Sequence, residues 1–183
     1  MLYDLIIVGG GPAAISAAVY AARKRLNTLL ITEEFGGQSI VSADIQNWIG
    51  EPHISGFDLA KKLEEHVRTY PDVVEIKMPE RAIKVQAIPS DTPGVNNFEV
   101  ETDKGRYQGK AIMLASGARR RKLGIPGEKE LDGKGVVYCS TCDAPIFKGK
   151  VVAVVGGGNA GLEAVVDLFP YATKIYLMEY GEA

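Results

Sequence analysis

One supersecondary pattern occurs twice in this chain, and it constrains the fold more than any other feature. The apolar run LYDLIIV (Leu2 to Val8) ends in Gly9, Gly10 and Gly11 and continues as the alanine-rich PAAISAAVYAARK. The run VVAVV (Val151 to Val155) leads in the same way into Gly156, Gly157 and Gly158 and then NAGLEAVVDLF. A buried strand stopped by glycine and followed by apolar residues at helical spacing is the first half of a βαβ unit. TLLITE and KIYLMEY supply the second strands. Each copy therefore predicts parallel sheet.

The glycine spacing gives both turns a chemical meaning. The first reads Gly9-x-Gly11-x-x-Ala14 and the second Gly156-x-Gly158-x-x-Gly161. The first glycine permits the tight turn, the second lets a pyrophosphate approach the backbone, and the third position must be small so that helix and strand can pack. The helix N-terminus then offers free N–H groups and partial positive charge to the phosphates. Glu33 follows Gly9 by 24 positions and Glu179 follows Gly156 by 23. A carboxylate about 20 residues on accepts hydrogen bonds from ribose hydroxyls. These are two Rossmann-like dinucleotide-binding units in one α/β chain. Two adenine dinucleotides in one protein usually exchange electrons, and nicotinamide with flavin is the natural couple. Glu179, where a 2′-phosphate would need Arg or Lys, favours NADH over NADPH.

Between the units, VVEIKM, AIKVQAI, NFEVET and AIMLAS are separated by PSDTPGVNN and DKGRYQG, which predicts an inserted antiparallel β-meander with a returning strand. The polar, basic stretch from Ser116 to Gly135 reads as a linker, so the expected domains are 1–117 and 118–183. The second copy stops soon after its second strand. Two strands and a helix do not complete a doubly wound domain, so both domains are expected to be incomplete, the chain being a fragment of something longer.

A formal net charge of −2 provides no basic field for nucleic acid or an anionic membrane. The cluster Arg119 to Lys122 reads as a solvated linker. No apolar run approaches the ~20 residues of a membrane helix, and no basic leader precedes the first strand. A cytoplasmic protein is expected. There thiols are kept reduced, and a cysteine pair is more often catalytic or metal-binding than structural.

The two cysteines stand together in YCSTCD, as Cys139 and Cys142. A zinc site needs about four ligands, and His53 and His66 have no metal spacing with the pair, so no metal is expected. A disulfide across two residues removes little unfolded-state entropy. CxxC is a common redox spacing and that reading leads, with a pair of inert buried thiols as the alternative. Asp143 beside the pair is either a proton carrier or simply the residue opening the next turn.

In combination, GGGPAA, FGGQ (Phe35 to Gln38), ASGA (Ala115 to Ala118), CSTCD and GGGNAG resemble the low-molecular-weight thioredoxin reductases. EEFGGQ, DAPIFKGK and the acidic YLMEY are similar to the branch containing the alkyl hydroperoxide reductase flavoprotein. The resemblance implies FAD on Gly9, Gly11, Pro12, Ala13 and Ala14, with Glu33 on its ribose and Gly37, Gln38 and Asn47 along the flavin. Gly117 would mark the passage between domains. Gly156, Gly158, Asn159, Ala160, Gly161 and Glu179 would hold the nicotinamide dinucleotide. Cys142 would face the flavin, Cys139 would attack a partner disulfide, and Asp143 would manage the thiol proton. Electrons would run from NADH through FAD and the Cys139–Cys142 disulfide to a thioredoxin-, glutaredoxin- or peroxiredoxin-type dithiol protein. The family is typically homodimeric, and the GARRRK stretch would be one hinge. The alternative is a catalytically incomplete fragment that only binds a nucleotide or packs with a partner chain.

Overall fold

The computed structural model describes residues 1–118 and 121–181. Its contacts divide these into two compact units. The first holds residues 1–44 and 54–118, and the second holds 45–53 and 121–181. Arg119 and Arg120 of the basic linker lie outside the described residues.

In the first unit, β1 (Leu2–Val8) pairs in parallel with β2 (Thr28–Ile31), joined through α1 (Pro12–Arg23). All four residues of β2 are buried, which matches its unbroken apolar sequence. The sheet order is β3-β2-β1-β6-β5-β4. Here β3 is Val74–Lys77, β4 Ala82–Pro89, β5 Asn96–Thr102 and β6 Arg106–Leu114. The α2 helix (Gly56–Val67) packs on α1.

Two details of the expected meander are corrected. VEIK does not join it; β3 pairs in parallel with β2 at the sheet's far edge. DKGRYQG separates two strands only through Asp103–Gly105; its RYQG half is already strand. Arg106 to Leu114 is one continuous strand, antiparallel to β5 through its first half and parallel to β1 along most of its length. The insert therefore extends the nucleotide-type sheet instead of forming a separate one.

Both faces of this sheet are covered. On one, Ile7 and Leu30 pack with Ala14, Ile15, Ala18 and Ala22 of α1 and with Val67 of α2. Small side chains along α1 let the helix approach the strands closely. On the other, Ile6, Leu29 and Ile31 pack with Val100, Val85 and Tyr107.

The second unit contains α3 (Ser140–Asp143), a 3-10 turn over Ala144–Phe147, β7 (Val151–Val155), α4 (Asn159–Leu168) and β8 (Lys174–Met178). β7 and β8 are parallel. Its core is Ala144, Phe147, Val152, Val154 and Leu168. One face of β7 stays open, with Val151 63% and Val155 52% exposed.

Candidate functional site

The first site is built where β1 ends. Gly9 has φ +131°, a conformation side chains rarely adopt, and a Cβ there would collide with the Ala115 carbonyl. Gly10, which the glycine spacing leaves as a variable position, is equally constrained: a Cβ would strike the Glu34 carbonyl and the Thr32 hydroxyl. Its own carbonyl accepts the Gly36 N–H at 2.9 Å. Gly11 is different, because the nearest atom to an added Cβ is Gly37 Cα at 3.8 Å. Its smallness keeps open space in front of the helix.

That space is a cavity of about 660 Å³. Gly9, Gly11, Pro12, Ala13, Glu33, Gly37, Gln38 and Gly117 all line it. Ala14 lies beneath, fully buried against the sheet. Asn47 is not among the lining residues; it belongs to segment 45–53 of the second unit. The Gln38 side-chain amide donates to the Ala118 carbonyl and closes one wall. Arg81 lines the cavity and stands 3.9 Å from Glu33. Nothing in the local sequence announces Arg81, because it reaches the site from the turn after β3.

The helix ends tell cradle from structural helix. Ser55 caps α2 by accepting the Asp58 N–H at 3.0 Å. Gly11 and Gly158, the N-caps of α1 and α4, have no side chain to do this. The first turns of both helices leave N–H groups for an external acceptor, from Ala13 onward in α1 because Pro12 has none. A roomy, glycine-lined cavity at such an N-terminus fits a dinucleotide pyrophosphate.

The second cradle repeats the logic. Gly156 has φ +110°, and a Cβ on Gly161 would overlap the Gly156 carbonyl. Gly158 faces open space, and Asn159 and Ala160 are exposed. Glu179 accepts the N–H of Gly157 with one carboxylate oxygen. The other oxygen takes those of Tyr180 at 2.7 Å and Gly181 at 3.0 Å. Hydrogen bonds from Gly181, Gly157 and Tyr180 hold its carboxyl below the usual range. The charge at the end of β8 is thus fixed against the glycine loop.

Cys139 and Cys142 form a disulfide. Cys139 is the N-cap of α3 and Cys142 is exposed. Burial pushes the Asp143 carboxyl up, against a smaller opposing effect of the backbone at Cys139. Two further acids hold the turn from outside it. Ser140 and Thr141 donate to the same oxygen of Asp167 on α4, at 2.7 and 3.2 Å. Glu128 accepts from Tyr138, just before Cys139. Isolated acids at such separations carry no sequence signal. Among the described residues, no cluster of three or more metal-binding side chains occurs, and no helix is long and apolar enough to cross a membrane.

Two strand–glycine–helix turns and a CxxC disulfide place the chain in the Rossmann-like α/β class. Residues 3–183 match the family model described as pyridine nucleotide-disulphide oxidoreductase, and the chain belongs to that family. It is 44% identical over 178 residues to the F subunit of alkyl hydroperoxide reductase in Pseudomonas aeruginosa, covering 97% of this chain and 33% of that protein. It is 41% identical over 180 residues to a Bacillus subtilis protein named NADH dehydrogenase, with the same two coverages. Among solved structures it is similar to thioredoxin reductase from Streptococcus pyogenes, with 37% identity and a TM-score of 0.82 over 96% of this chain and 55% of that one. The thioredoxin reductase of Giardia duodenalis gives 29% identity and a TM-score of 0.82, covering 99% of this chain and 58% of that one. The chain spans about a third of the length of the curated relatives it matches.

Proposed function

We infer that this chain carries the flavin-side and dithiol-side machinery of an NADH-dependent disulfide reductase that acts on the disulfide of a small dithiol protein. The observation that carries this reading is the Cys139–Cys142 disulfide in a chain that also has an open glycine cavity at an uncapped helix. FAD, when bound, would supply the two-electron link between a reduced nicotinamide and a disulfide.

In this reading, the α1 N-terminus and the glycines around Gly11 bind the FAD pyrophosphate, and Glu33, oriented by Arg81, takes the adenosine ribose. Gly37, Gln38 and Gly117 border the same ligand. Gly156, Gly158, Asn159, Ala160 and Gly161 bind the second pyrophosphate, and the anionic Glu179 turns away a 2′-phosphate, so NADH is preferred. Reduced Cys139 attacks the partner's disulfide and forms a mixed disulfide. Cys142 then resolves it by attacking Cys139 Sγ, which releases the partner as a dithiol. Asp143, whose burial favours its protonated form, holds the proton exchanged with the thiols. A homodimer in the cytoplasm is part of the same proposal.

A second reading, a chain that holds nucleotide and packs against a partner, is favoured by the exposed Leu162, Val166 and Phe169 of α4 and its end. Titration of the purified chain with FAD separates the two. Saturable binding with the visible bands of protein-held flavin is expected, followed by bleaching on anaerobic NADH addition. Binding without bleaching leaves the second reading. No uptake of FAD sinks the first.

A further inference from the structure

The two residues between the cysteines are both hydroxylic, and both hydroxyls converge on one atom. Ser140 Oγ lies 2.7 Å and Thr141 Oγ1 3.2 Å from Asp167 Oδ2. Asp167 sits two turns along α4, the helix that starts at the second glycine cradle. The turn has little other purchase: α3 is one turn long, has no side-chain N-cap, and buries none of its residues. Its contacts run to α4 and to the following 3-10 turn.

We propose that Asp167 is a positioning residue for the redox pair, a carboxylate that anchors the cysteine turn to the nucleotide-side helix and makes the dithiol a stronger reductant. This rests on the reading of Cys139 and Cys142 as a redox centre. Reduction breaks the Cys139–Cys142 bond and adds two electrons and two protons, one thiol per sulfur, while a thiol reductant closes its own disulfide. A negative charge held on the turn that carries the sulfurs disfavours the thiolate form. Pairs whose reduced form is stabilised as thiolate are strong oxidants. Asp167 acts in the opposite sense. The hydroxyl contacts matter because they keep the carboxylate on the turn instead of in solvent.

Other ionisable groups share this neighbourhood. Asp143 is on the turn, Glu163 precedes Asp167 by one turn of α4, Lys148 and Lys150 follow the 3-10 turn, and Tyr138 precedes Cys139 with Glu128 and Lys122 against it. None of them hydrogen-bonds to Ser140 or Thr141, so replacing Asp167 isolates its effect.

The test equilibrates the whole 183-residue chain with reduced and oxidised dithiothreitol, an uncharged couple, and reads dithiol against disulfide by alkylation and mass. The pH dependence of the alkylation rate gives the thiol pKa in the same samples. Asp167→Asn keeps an acceptor for both hydroxyls and removes the charge. It is expected to move the equilibrium about threefold toward dithiol, about 15 mV at 29.6 mV per tenfold, and to lower the reactive thiol's pKa. Ser140→Ala with Thr141→Val releases the carboxylate and is expected to move both readouts the same way, so it decides if Asp167→Asn does not fold. An equilibrium and a pKa unchanged in the folded variants overturn the assignment. A pair that never reduces reversibly, in wild type or variants, tells against the redox centre itself.

Discussion

The Tyr138 hydroxyl donates to the Glu128 carboxylate, which also accepts the N–H groups of Leu123 and Gly124 at 2.7 Å each. The Lys122 ammonium lies 3.9 Å from the centre of the Tyr138 ring and 2.6 Å from Asp132. One carboxylate thus ties the chain entering the second unit to the residue that precedes Cys139. Glu128 is only 6% exposed.

Removing that charge should loosen the segment. Tyr138 first, then Leu123, holds the Glu128 carboxyl below the usual range. Its contribution is complete above the unfolded carboxylate value of about 4.3 and is lost as pH falls through the lower folded value. Glu128→Gln is therefore expected to melt several degrees below wild type at neutral pH. The gap should close in acid, as pH falls through that lowered value. Thermal melts across pH check this, and a gap that stays constant with pH would count against it.

Asp143 should show the reverse sign. Burial raises its carboxyl, so its ionisation opposes folding. The folded state is favoured below the unfolded value of about 3.9, and that advantage is lost as pH rises through the higher folded value. Asp143→Asn should gain stability over wild type at neutral pH and lose that gain in acid. The same variant should slow thiol–disulfide exchange if the carboxyl handles the proton. Parallel melting curves would remove the first claim, and unchanged exchange the second.

Gly158 and Gly161 separate ligand space from packing. A Cβ on Gly161 overlaps the Gly156 carbonyl, whereas one on Gly158 meets nothing within 4 Å. Gly161→Ala is expected to destabilise the second unit by about 1–3 kcal/mol. Gly158→Ala should melt like wild type yet bind NADH at least about tenfold more weakly, about 1.4 kcal/mol. Melting paired with calorimetric titration reads both. Normal binding by Gly158→Ala would mean that pyrophosphate does not sit there.

Glu179 tests cofactor choice. With its carboxylate fixed to Gly157, a 2′-phosphate meets a settled negative charge. Glu179→Arg is expected to shift the ratio of NADH to NADPH dissociation constants by about tenfold or more toward NADPH. An unchanged ratio would show that the 2′ position is read elsewhere.

The two strand–glycine–helix turns were legible because each rests on contiguous residues: an apolar run, glycines at fixed spacing, and a small residue that lets the helix settle. What escaped depended on distant partners. VEIK alternates like a meander strand, and only β2, over forty residues earlier, decides that it lies parallel at the edge. Arg81 reaches Glu33 from another turn, and Asp167 reaches Ser140 across 27 residues. Gly10 was hidden in a variable motif position, although its surroundings forbid any side chain there.

Nearly the whole first unit must be synthesised before its central strand is flanked on both sides. β1 pairs with β6, and Lys110 meets Asp4 across 106 positions. The Ala115 carbonyl that forbids a side chain on Gly9 arrives later still. At roughly 5–20 residues per second, the nascent chain exposes an edge of β1 for several seconds. Pairing so distant in sequence is slow to close. The glycine cavity in front of α1 is therefore among the last parts of this unit to take shape.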